Sequence, residues 1–266
     1  MADILEYYRR GGEQTRLGAG AGLLEALRTR DILARYLPAP PASVLDVGGA
    51  TGAYAGALAT GGYRVHVVDP VPEHVERAGT VPGVTAEVGD ARRLRQPDAS
   101  VDAVLLLGPL YHLLERADRV TSWREAARVL RPGGVVFAAT ISRFASLHDG
   151  FVRGHYADPR FRPIVDRALD TGVHRNTEPG RGFFTDAYFH RPEEPVDEAR
   201  EAGLAVDRVL AVEGSLWQLG DRLSELLADP DSTRLVLDQL RRVEAEPSLL
   251  GASSHLITVA HRHADR

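Results

Sequence analysis

The stretch Val44-Leu45-Asp46-Val47-Gly48-Gly49-Ala50-Thr51-Gly52 decides the reading of this chain. A short β-branched run enters a glycine-rich turn, and the small residues Ala53 to Ala59 that follow predict a helix opened by that turn. Glycine reaches φ > 0 at little cost and lets a ligand approach the backbone, while the first N–H groups of a helix are electropositive. Strand, tight loop and helix start together predict a site for a nucleotide-like cofactor. Asp46 sits on the strand just before the turn. A carboxylate there repels a pyrophosphate but suits a ligand carrying an amine or a cation, so the loop favours a cationic nucleoside over a dinucleotide.

Working outward, Pro38-Ala39-Pro40-Pro41 stops any preceding helix and launches the first strand at Ser43 or Val44. Before it, Leu23, Leu24, Leu27, Ile32, Leu33 and Leu37 recur at three- and four-residue steps, one apolar stripe of a helix. The lead-in Tyr7-Tyr8-Arg9-Arg10 reads by default as a surface helix, and alternatively as a lid in which Tyr8 or Arg16 touches a ligand.

Beyond the loop, Arg64-Val65-His66-Val67-Val68-Asp69 is a second strand ending in an acid seventeen residues after Gly52, close to the spacing of ribose-binding acids in strand-helix-strand folds. The plainer role for Asp69 is to cap the helix that follows Pro70. A third strand, Val84 to Arg92, ends in Gly89-Asp90-Ala91, where Asp90 is placed to accept from an exocyclic amine or to form a turn. Val101 to Gly108 is nearly all apolar, as in a central parallel strand buried on both faces, and it delivers Gly108-Pro109-Leu110-Tyr111-His112-Leu113. A helix containing Trp123 and Val129 follows, then Arg131-Pro132-Gly133-Gly134 and a fifth strand, Val135 to Ile141. This alternation predicts an α/β fold with a doubly wound, mostly parallel sheet.

From Ser142 to Pro195 aromatics, histidines and breakers mix without a long period, which predicts an inserted cap of short helices. Regular structure resumes with a helix near Glu193 to Ala202, a strand from Leu204 to Glu213, helices at Leu216 to Leu227 and Ser232 to Glu244, and a closing strand His255 to His261. The implied organisation is an N-terminal helical lid (1–42), a core (43–141 and 196–266) and a substrate cap (142–195).

Composition sets outer limits. The net charge of −5 over 266 residues argues against nucleic acid as partner, and no apolar run is long enough to span a membrane. Cysteine is absent, which removes disulfides and thiolate chemistry and fits a cytoplasmic setting. Lysine is also absent, so no mechanism uses a lysine base or Schiff base. No histidine and carboxylate spacing points to a metal.

The order D-V-G-G-A-T-G (46–52), Asp69, G-D-A (89–91), D-A-V-L-L-L-G-P-L-Y-H-L (102–113) and L-R-P-G-G-V-V (130–136) resembles the class I S-adenosylmethionine-dependent methyltransferases, in particular the small-molecule group. The resemblance implies a Rossmann-like seven-stranded sheet with the last strand antiparallel. It implies S-adenosylmethionine as cofactor: Asp46 near the methionine amine, Gly48, Gly49 and Gly52 as the turn, Asp69 with Pro70 at the ribose, Asp90 with Ala91 at the adenine, and Leu107 and Gly108 beside the sulfonium. Members commonly carry glycine at the place of Ala50, whose methyl group should narrow the loop without abolishing binding. The acceptor is expected to be a small molecule and the protein a monomer or homodimer. His112 is the leading candidate for a general base, should the acceptor have to lose a proton, and Tyr111 for orienting the substrate. His190, with His155 and Arg191, ranks second, while His255 reads as a satisfied strand-end residue. The competing readings are a non-catalytic cofactor-binding module and a nicotinamide-dependent oxidoreductase. Against the latter stand Asp46 and the lack of a clean G-x-G-x-x-G or a Tyr-x-x-x-Lys couple.

Overall fold

The computed structural model describes residues 17–178 and 181–264, so Tyr8 and Arg16 lie outside the described residues. In chain order the elements are α1 (Gly20–Tyr36), β1 (Ser43–Val47), α2 (Ala55–Thr60), β2 (Arg64–Asp69), α3 (Pro72–Gly79), β3 (Val84–Val88), β4 (Val101–Leu106), α4 (Pro109–His112), α5 (Arg116–Val129) and β5 (Leu130–Ser142). There follow α6 (Ala145–Val152), α7 (Phe161–Thr171), β6 (Val173–His174), β7 (Ala187–His190), α8 (Glu194–Glu201), β8 (Leu204–Ala211), α9 (Asp221–Ala228), α10 (Pro230–Val243), α11 (Pro247–Leu250) and β9 (His255–Arg262). The described residues divide into two compact units, one within 33–139, 194–208 and 258–264, the other within 17–32, 140–178, 181–193 and 209–257.

In the first unit β1 pairs in parallel with β2 on one side and β4 on the other, while β3 extends the sheet beyond β2 and β5 beyond β4. The chain therefore reverses its winding between β1 and β4, and ligands of open α/β sheets bind beyond the carboxyl ends of the strands at such a point. Leu45, Val47, Val104, Leu106 and Val136 supply one buried face, sealed by Trp123, Ala126 and Val129 of α5 and by Ala199 and Leu204. Strand β5 starts five residues earlier than its apolar run suggests. Leu130 already pairs with Val101, and the Pro-Gly-Gly step is absorbed as a register shift before Ala103 meets Val135.

The strands number nine among the described residues, two more than the seven expected. The additional pair, β6 and β7, comes from the segment between Ser142 and Pro195, where the mixed composition gives no period-two signal over so few residues. In the second unit β7 runs parallel to the last residues of β5 (Ile141 opposite Phe189) and antiparallel to β6. Strand β9 pairs with β5 and β8. Its start lies at the end of β5, where the Ser142 N–H donates to the Ser254 carbonyl at 2.9 Å, and its end reaches the start of β5, where Arg262 donates to the Leu130 carbonyl at 2.6 Å. The last strand is thus antiparallel to β5, as the sequence led us to expect.

The second unit has its own packing. Leu24 of α1 is buried among Leu223, Leu227, Val236 and Leu240 of α9 and α10. Phe161, Ile164, Val165 and Phe183 form a separate aromatic-rich cluster. The helix expected over Leu216 to Leu227 is broken at Gly220, whose φ of +57° no helix accommodates, leaving a short 3₁₀ turn and then α9. Among the described residues, no helix is long and apolar enough to cross a membrane.

Candidate functional site

The parallel pairing of β1, β2, β3 and β4 brings the segments just beyond their carboxyl ends to one edge of the first unit: Gly48 to Gly52, Asp69 with Pro70, Gly89 to Ala91, and Leu107 to His112. Four segments far apart in the chain thereby share one edge of the sheet.

At its centre Asp46 is almost fully buried, and neither of its carboxylate oxygens has a hydrogen-bond partner among the described residues. Gly49 lies directly over it, since a Cβ there would sit 2.6 Å from Asp46 Oδ2. Burial, and secondarily the charge of Asp69, pushes the Asp46 carboxyl up to about 7. An unpartnered buried carboxylate is costly, and a positive or donor-bearing ligand relieves that cost.

The turn itself is tightly specified. Gly48 has φ +73°, and a Cβ on it would stand 2.9 Å from Cδ of Pro109. From the other side, a Cβ on Gly108 would come 3.2 Å from the Gly48 carbonyl oxygen. Glycine at both positions lets the loop after β1 and the segment after β4 touch. Ala50 adopts φ +48°, a left-handed conformation that favours glycine, so its methyl group acts through backbone strain rather than only by narrowing the loop. Its N–H donates to Asp69 Oδ2 at 2.9 Å, which holds it there. Helix α2 begins at Ala55, two residues later than expected, because the turn continues to Tyr54.

Asp69 works on both sides. While Oδ2 fixes the loop, Oδ1 accepts from the N–H of Val71 at 3.0 Å and lies 3.1 Å from His74 Nδ1. It therefore does serve the turn into α3, and His74, which nothing in its sequence context distinguishes, joins the site. Pro70 beside it is exposed.

Asp90 is clamped by Arg92, whose Nε and Nη2 reach its two oxygens at 3.0 and 2.6 Å, and this pairing holds its carboxyl below the usual carboxylate range. Arg92 also bridges to Asp118 at 2.8 Å. Ala91 is buried against the core.

Leu107 and Gly108 leave β4 half-buried, and Pro109 opens the single turn α4. Its Tyr111 and His112 rings meet edge to face with centroids 4.6 Å apart, and the Tyr111 hydroxyl lies 3.5 Å from the Leu107 carbonyl. The next two carbonyls, of Leu113 and Leu114, are both held by Nη1 of Arg119, whose Nε binds Glu198 at 2.8 Å. This buried arginine fixes the exit from α4, and one arginine among many in a helix gives no sign of it in the sequence.

His190 belongs to the second unit, fully buried on β7 with its ring 4.7 Å from that of Tyr188 and its carbonyl accepting from the Arg143 N–H. Arg191 lies over the ring of Phe144.

The same unit holds a group that sequence reasoning missed. His255 Nδ1 lies 2.6 Å from Oε1 of Glu213 and 3.7 Å from Oε2 of Glu25. The three side chains come from β9, from the segment after β8 and from α1, and nothing in their separation along the chain announces them.

The chain is similar to known proteins in sequence and in fold. Residues 44–134 match the methyltransferase domain family. Over 99 residues the chain is 39% identical to an uncharacterized methyltransferase of Mycobacterium bovis, covering 37% of this chain and 39% of that protein. The match thus spans about two fifths of the length of that relative. A ubiquinone biosynthesis O-methyltransferase of Xylella fastidiosa is 28% identical over 204 residues, 73% of this chain and 74% of the relative. Among solved structures, an S-adenosylmethionine-dependent methyltransferase of Mesorhizobium loti superposes with a TM-score of 0.60 over 90% of this chain and 100% of that one, at 17% identity.

Proposed function

We propose that this chain, a member of the class I S-adenosylmethionine-dependent methyltransferases, transfers a methyl group to a nucleophilic atom of a small-molecule acceptor. The observation that carries the reading is the buried carboxylate of Asp46 beneath the glycine turn, without a hydrogen-bond partner among the described residues. The residues fit the cofactor: Asp46 offers a negative charge in a dry setting, Gly48 and Gly49 keep Cβ atoms out of the way, and Asp69 stands at the next strand end. When bound, S-adenosylmethionine supplies a sulfonium methyl group for in-line displacement.

In such a displacement the protein's work is alignment and exclusion of water. Asp46 holds the amine end, Asp69 accepts from the ribose hydroxyls with the lone pairs left beside its backbone contacts, and Asp90 with Ala91 meets the adenine. Leu107 and Gly108 flank the sulfonium end. His112, on the turn that Arg119 fixes, takes the acceptor proton when the nucleophile must lose one, and Tyr111 orients the acceptor. The likeness to a ubiquinone biosynthesis O-methyltransferase favours a hydroxyl oxygen as that nucleophile.

Calorimetry with S-adenosylmethionine and S-adenosylhomocysteine tests the cofactor site, and product formation with a panel of hydroxylated acceptors tests the chemistry. Binding of both ligands with turnover is the expected outcome. Binding without turnover on any acceptor favours a non-catalytic module, and absence of binding overturns the reading at its root.

A further inference from the structure

We propose that Glu25, Glu213 and His255 form a binding site for a divalent transition-metal cation of the zinc type. The site lies wholly within the second unit and is independent of the methyl-transfer reading.

The argument starts from how these side chains are held. Glu213 is almost fully buried, yet its carboxylate is not randomly satisfied. Oε2 accepts from the Ser253 hydroxyl at 3.0 Å and from the His255 N–H at 2.9 Å, so one oxygen is tied to the scaffold. The Ser253 hydroxyl is itself fixed, accepting from the N–H groups of Glu213 and Gly214 at 3.1 Å each. The other oxygen, Oε1, is thereby aimed at His255 Nδ1. Glu25 brings a second carboxylate from α1 toward the same nitrogen. One ligand atom from each of the three residues lies within 4.8 Å of the others.

Such a set, one imidazole nitrogen and two carboxylate oxygens with one carboxylate oriented by outer hydrogen bonds, is what a zinc-type ion takes from a protein. Three protein ligands leave a coordination position for water or for an oxygen of a small molecule.

The test is a titration of chelator-treated protein with Zn²⁺ at pH 7.5, read by calorimetry and by metal content after gel filtration. We expect one Zn²⁺ per chain, and affinity reduced about tenfold or more in His255→Ala and in Glu25→Gln. Glu25→Gln changes a side chain at the margin of the cluster and carries the test if loss of the His255 ring disturbs the fold. Binding of S-adenosylmethionine by each variant, measured in parallel, reports that the rest of the chain is intact. Failure to take up stoichiometric Zn²⁺, or equal uptake by the unsubstituted protein and both variants, overturns the proposal and leaves the cluster a buried ion pair. Zinc uptake without any S-adenosylmethionine binding by the unsubstituted protein sinks the methyl-transfer reading while this one stands.

Discussion

Asp46 and Glu213 are both carboxylates removed almost entirely from solvent, one in each unit, and they respond to burial in opposite directions. Asp46 has no hydrogen-bond partner among the described residues, and burial raises it to about 7. Glu213 experiences the same upward push, but the charge of His255 and the donors around its oxygens outweigh it, and the carboxyl falls below its ordinary value. Burial alone does not set the charge of an acid; the donors that accompany it do. The first residue lacks donors among the described residues, and the second is supplied with them.

The largest way to break this contrast is Asp46→Asn. A raised carboxyl binds a proton in the folded chain between 3.8 and about 7 where the unfolded chain does not, so its effect is to make stability fall as pH rises through that window. The displacement corresponds to about 4 kcal/mol at full ionisation. Denaturation measured at pH 3 and pH 8 should therefore find Asp46→Asn more stable than the parent at pH 8 by up to about that amount, nearly equal at pH 3 where both states are protonated, and the variant weaker in binding S-adenosylmethionine at neutral pH. Parallel pH profiles for the two proteins would dissolve the contrast.

Glu213 predicts the reverse slope. Its lowered carboxyl stabilises the fold above its ordinary range near 4.5 and loses that contribution as the pH falls. Glu213→Gln removes the buried carboxylate that the Ser253 hydroxyl and the His255 N–H donate to and should cost about 3 kcal/mol at pH 7.5 by urea denaturation. A loss of a few tenths would mean that the pair is merely tolerated.

Asp69→Ala probes the neighbour that contributes to raising Asp46. It should weaken S-adenosylmethionine by about 2 kcal/mol in calorimetry, the value of a charge-assisted bond, and an unchanged affinity would remove its ribose role. The smallest effect expected is from Ala50→Gly, which relieves the left-handed alanine and should raise stability by about 1 kcal/mol with little change in cofactor affinity. A destabilised glycine variant would show that Ala50 is held without strain.

What could be read before folding was whatever local chemistry writes into neighbouring residues. Strand β2 occupies Arg64–Asp69, the run read as a strand ending in an acid, and the apolar run after Ser100 is β4. The candidate loop was legible because its glycines and acid are contiguous. The strands β6 and β7 were not, since two and four residues are too few to establish a period. Nor was the left-handed conformation of Ala50 visible, because a residue type records only what a backbone angle costs. Glu25, Glu213 and His255 were illegible for a different reason: only the pairing of β9 with β8 and the approach of α1 bring them within reach. His255 alone looked like an ordinary strand end.

The contact between Gly48 and Pro109 bears on how this loop can change over generations. A side chain at position 48 is refused by its own backbone angle and again by the proline ring, so relaxing one refusal leaves the other in force. A change at the turn therefore bears on Pro109 and, through it, on Tyr111 and His112 of the same helical turn, so the two segments cannot be altered independently.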